Sequence, residues 1–321
     1  MLDQSLAAEP SIEHLPFSWR TALLTRVDVL HLHWPEVMLE GNARWKRWGK
    51  RVLMRALLVK HRLTGGAIVR TVHNIELPQD VDRSTRRILV FIEDRTDHRI
   101  VLNDSTPTTD PTATSLIPHG HYRDWFAPYE HADRVAGQIG YFGLIRRYKG
   151  IETLLAVYED ALHQDDTLSL RVGGRPSSQE LADVVTAASA RVPRISTTLR
   201  FLEDPELVEI ATSSQMMVLP YRFMHNSGGA LASLSLDRPV LLPRNDVNEA
   251  LGAEVGTGWV HLYDGELTSE RLRAALDATR TLTGSPDLSR REWSPVGRLH
   301  ADVYRRALAH RTTPIDRRGR G

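Results

Sequence analysis

The stretch His225-Asn226-Ser227-Gly228-Gly229-Ala230 runs into Leu231-Ala232-Ser233-Leu234-Ser235-Leu236 and then into Asp237-Arg238-Pro239-Val240-Leu241-Leu242. It reads as a loop, a helix and a buried strand in quick succession. Asn226 or Ser227 can cap the helix, because a short polar side chain accepts from its first N–H groups. Gly228 and Gly229 let the backbone approach a ligand with no Cβ in the way. A helix start with free N–H groups is an anion site, and phosphate is the usual anion. The plainer alternative is a capped core helix after a glycine turn.

A second stretch bears on that choice. Gln138-Ile139-Gly140-Tyr141-Phe142-Gly143 is a short strand ending in glycine, and Leu144 to Leu155 follow as a loop and then a helix. The loop carries Arg146 and Lys149. In open parallel sheets, ligands bind in the crevice outside the carboxyl ends of the strands, where both cations fall. Arg can fork onto phosphate oxygens and Lys can act as a point charge. The alternative is a pair of solvated loop cations.

Outward from these two stretches, apolar runs alternate with helical patterns. Strands are expected at Val27–Leu32, Ala67–Val72, Arg99–Leu102 and Ser115–Pro118, with helices over 44–63 and 81–94. The second half repeats the rhythm, with strands near 136–142, 167–172, 197–201, 216–219 and 239–242. Such alternation predicts parallel sheets with helices on both faces. The 321 residues suffice for two domains, with a junction near Ala127-Pro128 to Asp133.

Composition narrows the class. Hydrophobic residues make up 41% and charged residues 25%, as in a soluble globular protein. The net charge of +1 makes no global case for nucleic acid. No cysteine is present, which excludes disulfides, cysteine zinc sites and thiol catalysis, and is compatible with a reducing cytosol. Met1 to Ser11 carries Asp3 and Glu9 and no apolar run, so it does not read as a signal peptide. No segment approaches the length of a membrane span.

Taken together, the two stretches resemble the C-terminal half of a GT-B glycosyltransferase, and the resemblance covers roughly residues 20 to 310. The resemblance implies two Rossmann-like doubly wound parallel-sheet domains facing a cleft. Residues 1–130 would bind the acceptor and 131–290 the nucleotide-sugar. In 291–321, a final helix would cross back to the first domain and a basic tail, Arg311 to Gly321, is expected to be disordered. The resemblance makes Gly143, Arg146, Lys149, Asn226, Ser227, Gly228, Gly229 and Ala230 the donor-binding set. One departure stands out. The family's first domain opens with a strand and a glycine-bearing loop, whereas Met1 to Glu9 reads as a helix with Leu2 and Leu6 on one face. The first strand is therefore expected to be missing.

His31-Leu32-His33-Trp34-Pro35-Glu36 follows the first expected strand. Trp34 can stack on a sugar face, and His33 and Glu36 can bind hydroxyls or move protons. The alternative packs Trp34 in the core and leaves Glu36 solvated. His31 and His33 share a face by period-two alternation but have no third ligand, so no metal is expected. The order His-Trp-Pro-Glu resembles bacterial GT-B enzymes that build polysaccharides and glycolipids, β-mannosyltransferases among them. By the same resemblance, His73 touches the donor and serves in catalysis. Asn74, and His119 and Tyr122 of Pro118-His119-Gly120-His121-Tyr122, belong with the acceptor. Retaining relatives carry a Glu pair that here aligns on Met224 and Ala232. Its absence points to an inverting transfer with Glu36 as the base and His33 and His73 in reserve.

Residues 41–75 hold nine Lys or Arg and no Asp or Glu. Trp45, Trp48, Val52, Ala56, Val59 and Leu63 fall at helical spacing. A basic helix edged with Trp suits an anionic membrane surface, here the inner face of the plasma membrane. The alternative is an amphipathic helix lying on the sheet with a solvated basic face. The expected partners are a nucleotide-sugar such as GDP-mannose and a lipid-linked or saccharide acceptor, with no cofactor and no metal. A nucleotide-sugar 2-epimerase of the same fold and a non-catalytic partner subunit are the rival readings.

Overall fold

A computed structural model describes residues 1–41, 43–74, 81–222 and 224–312. The chain divides into two units, Met1–Gly120 with Glu292–Gly321, and His121–Arg291. Most of the tail expected to be disordered lies outside the described residues.

The first unit is built on four parallel strands, β1 (Val29–Leu32), β2 (Ala67–Val72), β3 (His98–Val101) and β4 (Thr114–Leu116), in the order β1-β2-β3-β4. Its helices are α1 (Leu2–Ala7), α2 (Trp19–Leu24), α3 (Pro35–Leu39), α4 (Arg44–Leu63) and α5 (Arg83–Arg95). Period-two alternation assigns the two faces of the sheet. Leu30, Leu32 and Ile68 pack with Met54, Leu57 and Leu58 of α4 and with Ile88, Leu89 and Ile92 of α5. The alternate residues Val29, Ala67, Val69 and Ile100 face the other way. Asp82 starts α5 by accepting from the N–H groups of Ser84 and Thr85 at 2.9 and 3.2 Å. Helix α4 presents the expected Trp45, Trp48, Val52, Val59 and Leu63 stripe to solvent rather than to the sheet. Its buried stripe is Met54, Leu57, Leu58 and His61, so the helix has two apolar faces.

The second unit holds β5 (Gln138–Phe142), β6 (Ser169–Gly173), β7 (Ile195–Thr198), β8 (Met216–Val218), β9 (Val240–Pro243) and β10 (Val260–Tyr263). All pair in parallel, in the order β10-β9-β8-β5-β6-β7. Helices α6 (Arg123–Phe126), α7 (Ile151–Leu162), α8 (Gln179–Arg191), α9 (Asp204–Ser213), α10 (Gly228–Ser235), α11 (Asp246–Val255) and α12 (Ser269–Thr279) surround it. Every residue of β5 and of β8 is buried, as central strands covered on both faces require. From β5 the chain winds outward through β6 and β7. It then returns to β8 and winds the other way through β9 and β10. The switch point lies between β5 and β8, and in such sheets ligands bind outside the carboxyl ends of the strands at that point.

The last helix, α13 (Val296–Thr312), belongs to the first unit and covers the second face of its sheet with Val303 and Ala307. Gly297 lets it lie on α1, because a Cβ there would stand 2.2 Å from the Ser5 carbonyl oxygen.

Candidate active site

In the second unit, the loops after β5 and β8 meet at the switch point. Gly150, with φ of 69°, comes so near Pro220 that a Cβ would stand 2.2 Å from its carbonyl oxygen. Only glycine fits that backbone and that approach. The Arg222 N–H donates to the Tyr148 carbonyl at 2.8 Å, which ties the two loops together. Lys149 Nζ lies 4.8 Å from the centroid of the Tyr221 ring, within cation–π range. Burial, and next the charge of Arg146, push the Lys149 pKa down to about 8. An anion bound beside it would push that value back up. Gly143, with φ of 113°, ends β5 so that a Cβ would stand 3.7 Å from Lys149 Nζ.

Helix α10 starts in the same place. Ser227 caps it, accepting from the Ala230 N–H at 3.1 Å. The N–H groups of Gly228 and Gly229 have no acceptor within the helix, as at any helix start. Gly229 packs near Phe142 at the end of β5 and Tyr221 on the loop after β8, the two strands that flank the switch point. The donor-set residues Gly143, Lys149, Ser227, Gly228, Gly229 and Ala230 therefore belong to one locality within one unit, joined by Arg146 and Asn226 in the same loops.

In the first unit, the ends of β1 and β2 gather a histidine cluster on the face covered by α13. His31 Nδ1 lies 2.8 Å from Tyr304 Oη, and its Nε2 lies 2.8 Å from Thr71 Oγ1. The His33 ring is 4.4 Å from His31, and its Nδ1 is 3.2 Å from His73 Nε2. Trp34 stacks on His73 at 4.1 Å and 17°, with 41% of its own surface exposed. Burial and neighbouring imidazoles lower His33 to about 4 and His73 to about 3, and they hold His31 far below its ordinary value. The cluster is neutral at pH 7. The His33–His73 bond is thus an N–H of one ring donated to the lone pair of the other.

The remaining expected residues fall in several places. Asn74 follows His73 and is exposed. Glu36, in the first turn of α3, lies within electrostatic reach of Arg70, on the α5 face of the sheet and away from the histidines. His119 belongs to the first unit, its ring 5.9 Å from Trp293. Tyr122 belongs to the second unit, with its hydroxyl 3.6 Å from where a Cβ at Gly228 would stand. It therefore sits beside the start of α10. Tyr221, Thr71, Tyr304 and His300, whose ring lies 5.5 Å from that of His31, went unassigned in sequence. Only Thr71, two residues before His73 on the same strand face, carried a local signal. Among the described residues, no group of three or more His, Asp or Glu is arranged to hold a metal ion. No helix among them is long and apolar enough to cross a membrane.

No protein-family model matches the chain. The GDP-mannose:glycolipid 4-beta-D-mannosyltransferase of Xanthomonas campestris pv. campestris is 44% identical over 294 residues, which is 91% of this chain and 83% of that relative. The chain belongs to this glycosyltransferase family. A second Xanthomonas campestris pv. campestris protein of the same name matches with the same identity and coverage. The fold is that of GT-B glycosyltransferases. Anabaena HepE in complex with UDP-glucose superposes with a TM-score of 0.55 at 13% identity, covering 88% of this chain and 76% of that one. Sucrose-phosphate synthase from Thermosynechococcus elongatus gives 0.56 at 16% identity, covering 84% and 81%. The family resemblance and the fold expected from the two stretches hold, as does glycosyl transfer from a nucleotide-sugar. The epimerase and non-catalytic readings are not favoured.

Proposed function

We propose that this glycosyltransferase moves mannose from GDP-mannose to a hydroxyl of a membrane glycolipid, making a β-mannoside. The observation that carries this reading is the 44% identity, spanning 91% of the chain, to a relative of that name. The geometry of the second unit supports it. Gly143, Arg146, Lys149 and the α10 start would hold the donor diphosphate, with Tyr122 beside them. Fixed cations and N–H groups stabilise charge as it develops on the leaving group, so no metal need bind. The acceptor sugar would stack on the Trp34–His73 pair, with His33, Asn74 and His119 as hydrogen-bonding partners.

Mannose is α-linked in GDP-mannose, so a β-product requires inversion and a base at the acceptor hydroxyl. Glu36 and His73 are the two candidates, on opposite faces of the sheet. The exposed Trp45, Trp48, Val52, Val59 and Leu63 stripe, beside exposed Arg44, Lys46 and Arg47, would rest on an anionic lipid surface. On this reading the enzyme works at the inner face of the plasma membrane. Incubation with GDP-mannose and a lipid-linked oligosaccharide tests the whole reading. NMR of the product should show one new β-mannosyl residue. An α-mannoside, or free 2-epimerised sugar nucleotide without acceptor, would overturn it.

A further inference from the structure

Several cations of the second unit are held by carboxylates. Arg147 is bound by Glu152 at 3.5 Å and Glu180 at 2.5 Å. Arg171 pairs with Glu209, Arg244 with Glu249 and Asp264, and Arg291 with Glu254. Others, such as Arg238 and Arg273, are held by neutral oxygens of Thr212 and Gln164; three more fall on the loops at the switch point. Arg146, Lys149 and Arg222 have no acidic partner among the described residues, although they lie on two loops bonded to each other through Arg222 N–H and Tyr148 O. Arg222 directly follows Tyr221, whose ring carries the Lys149 ammonium. Its side chain is exposed. Like charges without counter-ions repel one another, and after burial the charge of Arg146 is the second cause that lowers the Lys149 pKa. An anion of matching charge removes the penalty.

Two of these cations belong to the donor set already described, and Arg222 does not. We propose that Arg222 is the third cation of the donor site and touches the leaving diphosphate. This inference rests on the reading of the second unit as the donor-binding unit. In the transfer, the acceptor oxygen forms a bond to the sugar's anomeric carbon and its proton passes to the base. The bond from that carbon to the β-phosphate oxygen breaks, and the electron pair stays on the oxygen. The diphosphate carries about two negative charges before transfer and about three after it. Two cations match the bound donor, and the third matches the charge that appears as the bond breaks. Arg222 thereby favours the transition state and product over the ground state, which raises kcat more than it lowers KM.

The test is the variant Arg222→Met, which keeps the backbone bond to Tyr148 and removes only the charge. Arg290→Met, an exposed arginine of the same unit, is the control for net charge. Calorimetry with GDP and with GDP-mannose gives the first readout, and steady-state transfer gives the second. Arg222→Met should weaken GDP about 10- to 100-fold, the value of a charged hydrogen bond, and should lower kcat similarly. GDP-mannose affinity should change much less, Arg222→Lys should recover part of the loss, and Arg290→Met should match the wild type. Equal weakening of both ligands with kcat preserved would overturn the proposal, as would GDP affinity unchanged from wild type. If the wild type itself fails to bind GDP, the donor-site reading falls and not merely the role of Arg222.

Discussion

Acidification should destabilise the first unit steeply, because its core holds imidazoles that cannot easily take a proton. Burial lowers His33 to about 4, His73 to about 3 and His98 to about 4, from 6.5. The positive charge of Arg306 adds to the burial of His98. The folded values lie below the unfolded value, so the unfolded chain binds more protons across this window. The stability they confer is complete above about pH 6.5 and is lost as pH falls toward the folded values. At pH 5 the unfolded chain binds nearly three more protons at these positions, so stability should fall by about 3–4 kcal/mol per pH unit. Between pH 7 and pH 5 the loss sums to about 5 kcal/mol, a large part of an ordinary domain's stability. Urea unfolding followed by tryptophan fluorescence at both pH values measures it, since Trp19, Trp34, Trp45, Trp48 and Trp293 all lie in this unit. A His98→Leu variant should flatten the dependence by about one third. Equal unfolding free energies at pH 7 and pH 5 would refute the reasoning, as would greater stability at pH 5.

The other expectations concern function. Transfer should survive EDTA, since Arg146 and Lys149 supply the positive charge; loss of turnover restored by Mn²⁺ or Mg²⁺ would contradict this. Flotation with anionic liposomes should weaken with salt and be abolished by Arg44→Glu/Lys46→Glu/Arg47→Glu, while Trp45→Ala/Trp48→Ala should weaken it at every salt concentration. Lys50, Arg51 and Lys60 are poorer probes, because they bond within the unit to the Glu40 carbonyl, to Asp82 and to the Ala22 carbonyl. Glu36→Gln and His73→Asn should separate the two candidate bases: the variant of the true base should lose about 10²–10⁴-fold in kcat with GDP binding retained.

Much of the fold was legible because local patterns and tertiary packing agree. The period-two runs at β2 and β5 and the Ser227-capped glycine start of α10 were visible from residue types alone. Strand β10 was missed because Val260-His261-Leu262-Tyr263 is a short edge strand with three of its four residues half-exposed, so it lacks a buried apolar run. The stripe on α4 was correctly spaced, but spacing does not say which of two apolar faces meets the sheet. Met54, Leu57 and Leu58 took the sheet, and the tryptophans were left outside.

The candidate site was legible in its residue types and less so in its grouping. The donor loops each carried a motif, and the parallel order brought them to one switch point. The Tyr304–His31 bond spans 273 positions, and no local pattern encodes it. Glu36 sits three residues from His33 in sequence, yet the pleat and the turn into α3 send it toward Arg70. Tyr122 follows His119 by three residues, but its backbone N–H donates to Ser235 Oγ at 2.9 Å, which fixes it beside α10.

The central claim is that the two loops at the switch point of the second unit bind the donor's diphosphate. Titration of GDP into the wild type and into Arg146→Ala/Lys149→Met, followed by calorimetry at pH 7, addresses it most directly. The wild type should bind GDP, and the double variant should bind about 10²-fold or more weakly, the combined loss of two charged hydrogen bonds. Wild-type affinity should also decline above pH 8, as Lys149 loses its proton. Equal GDP affinity in the two proteins would contradict the claim.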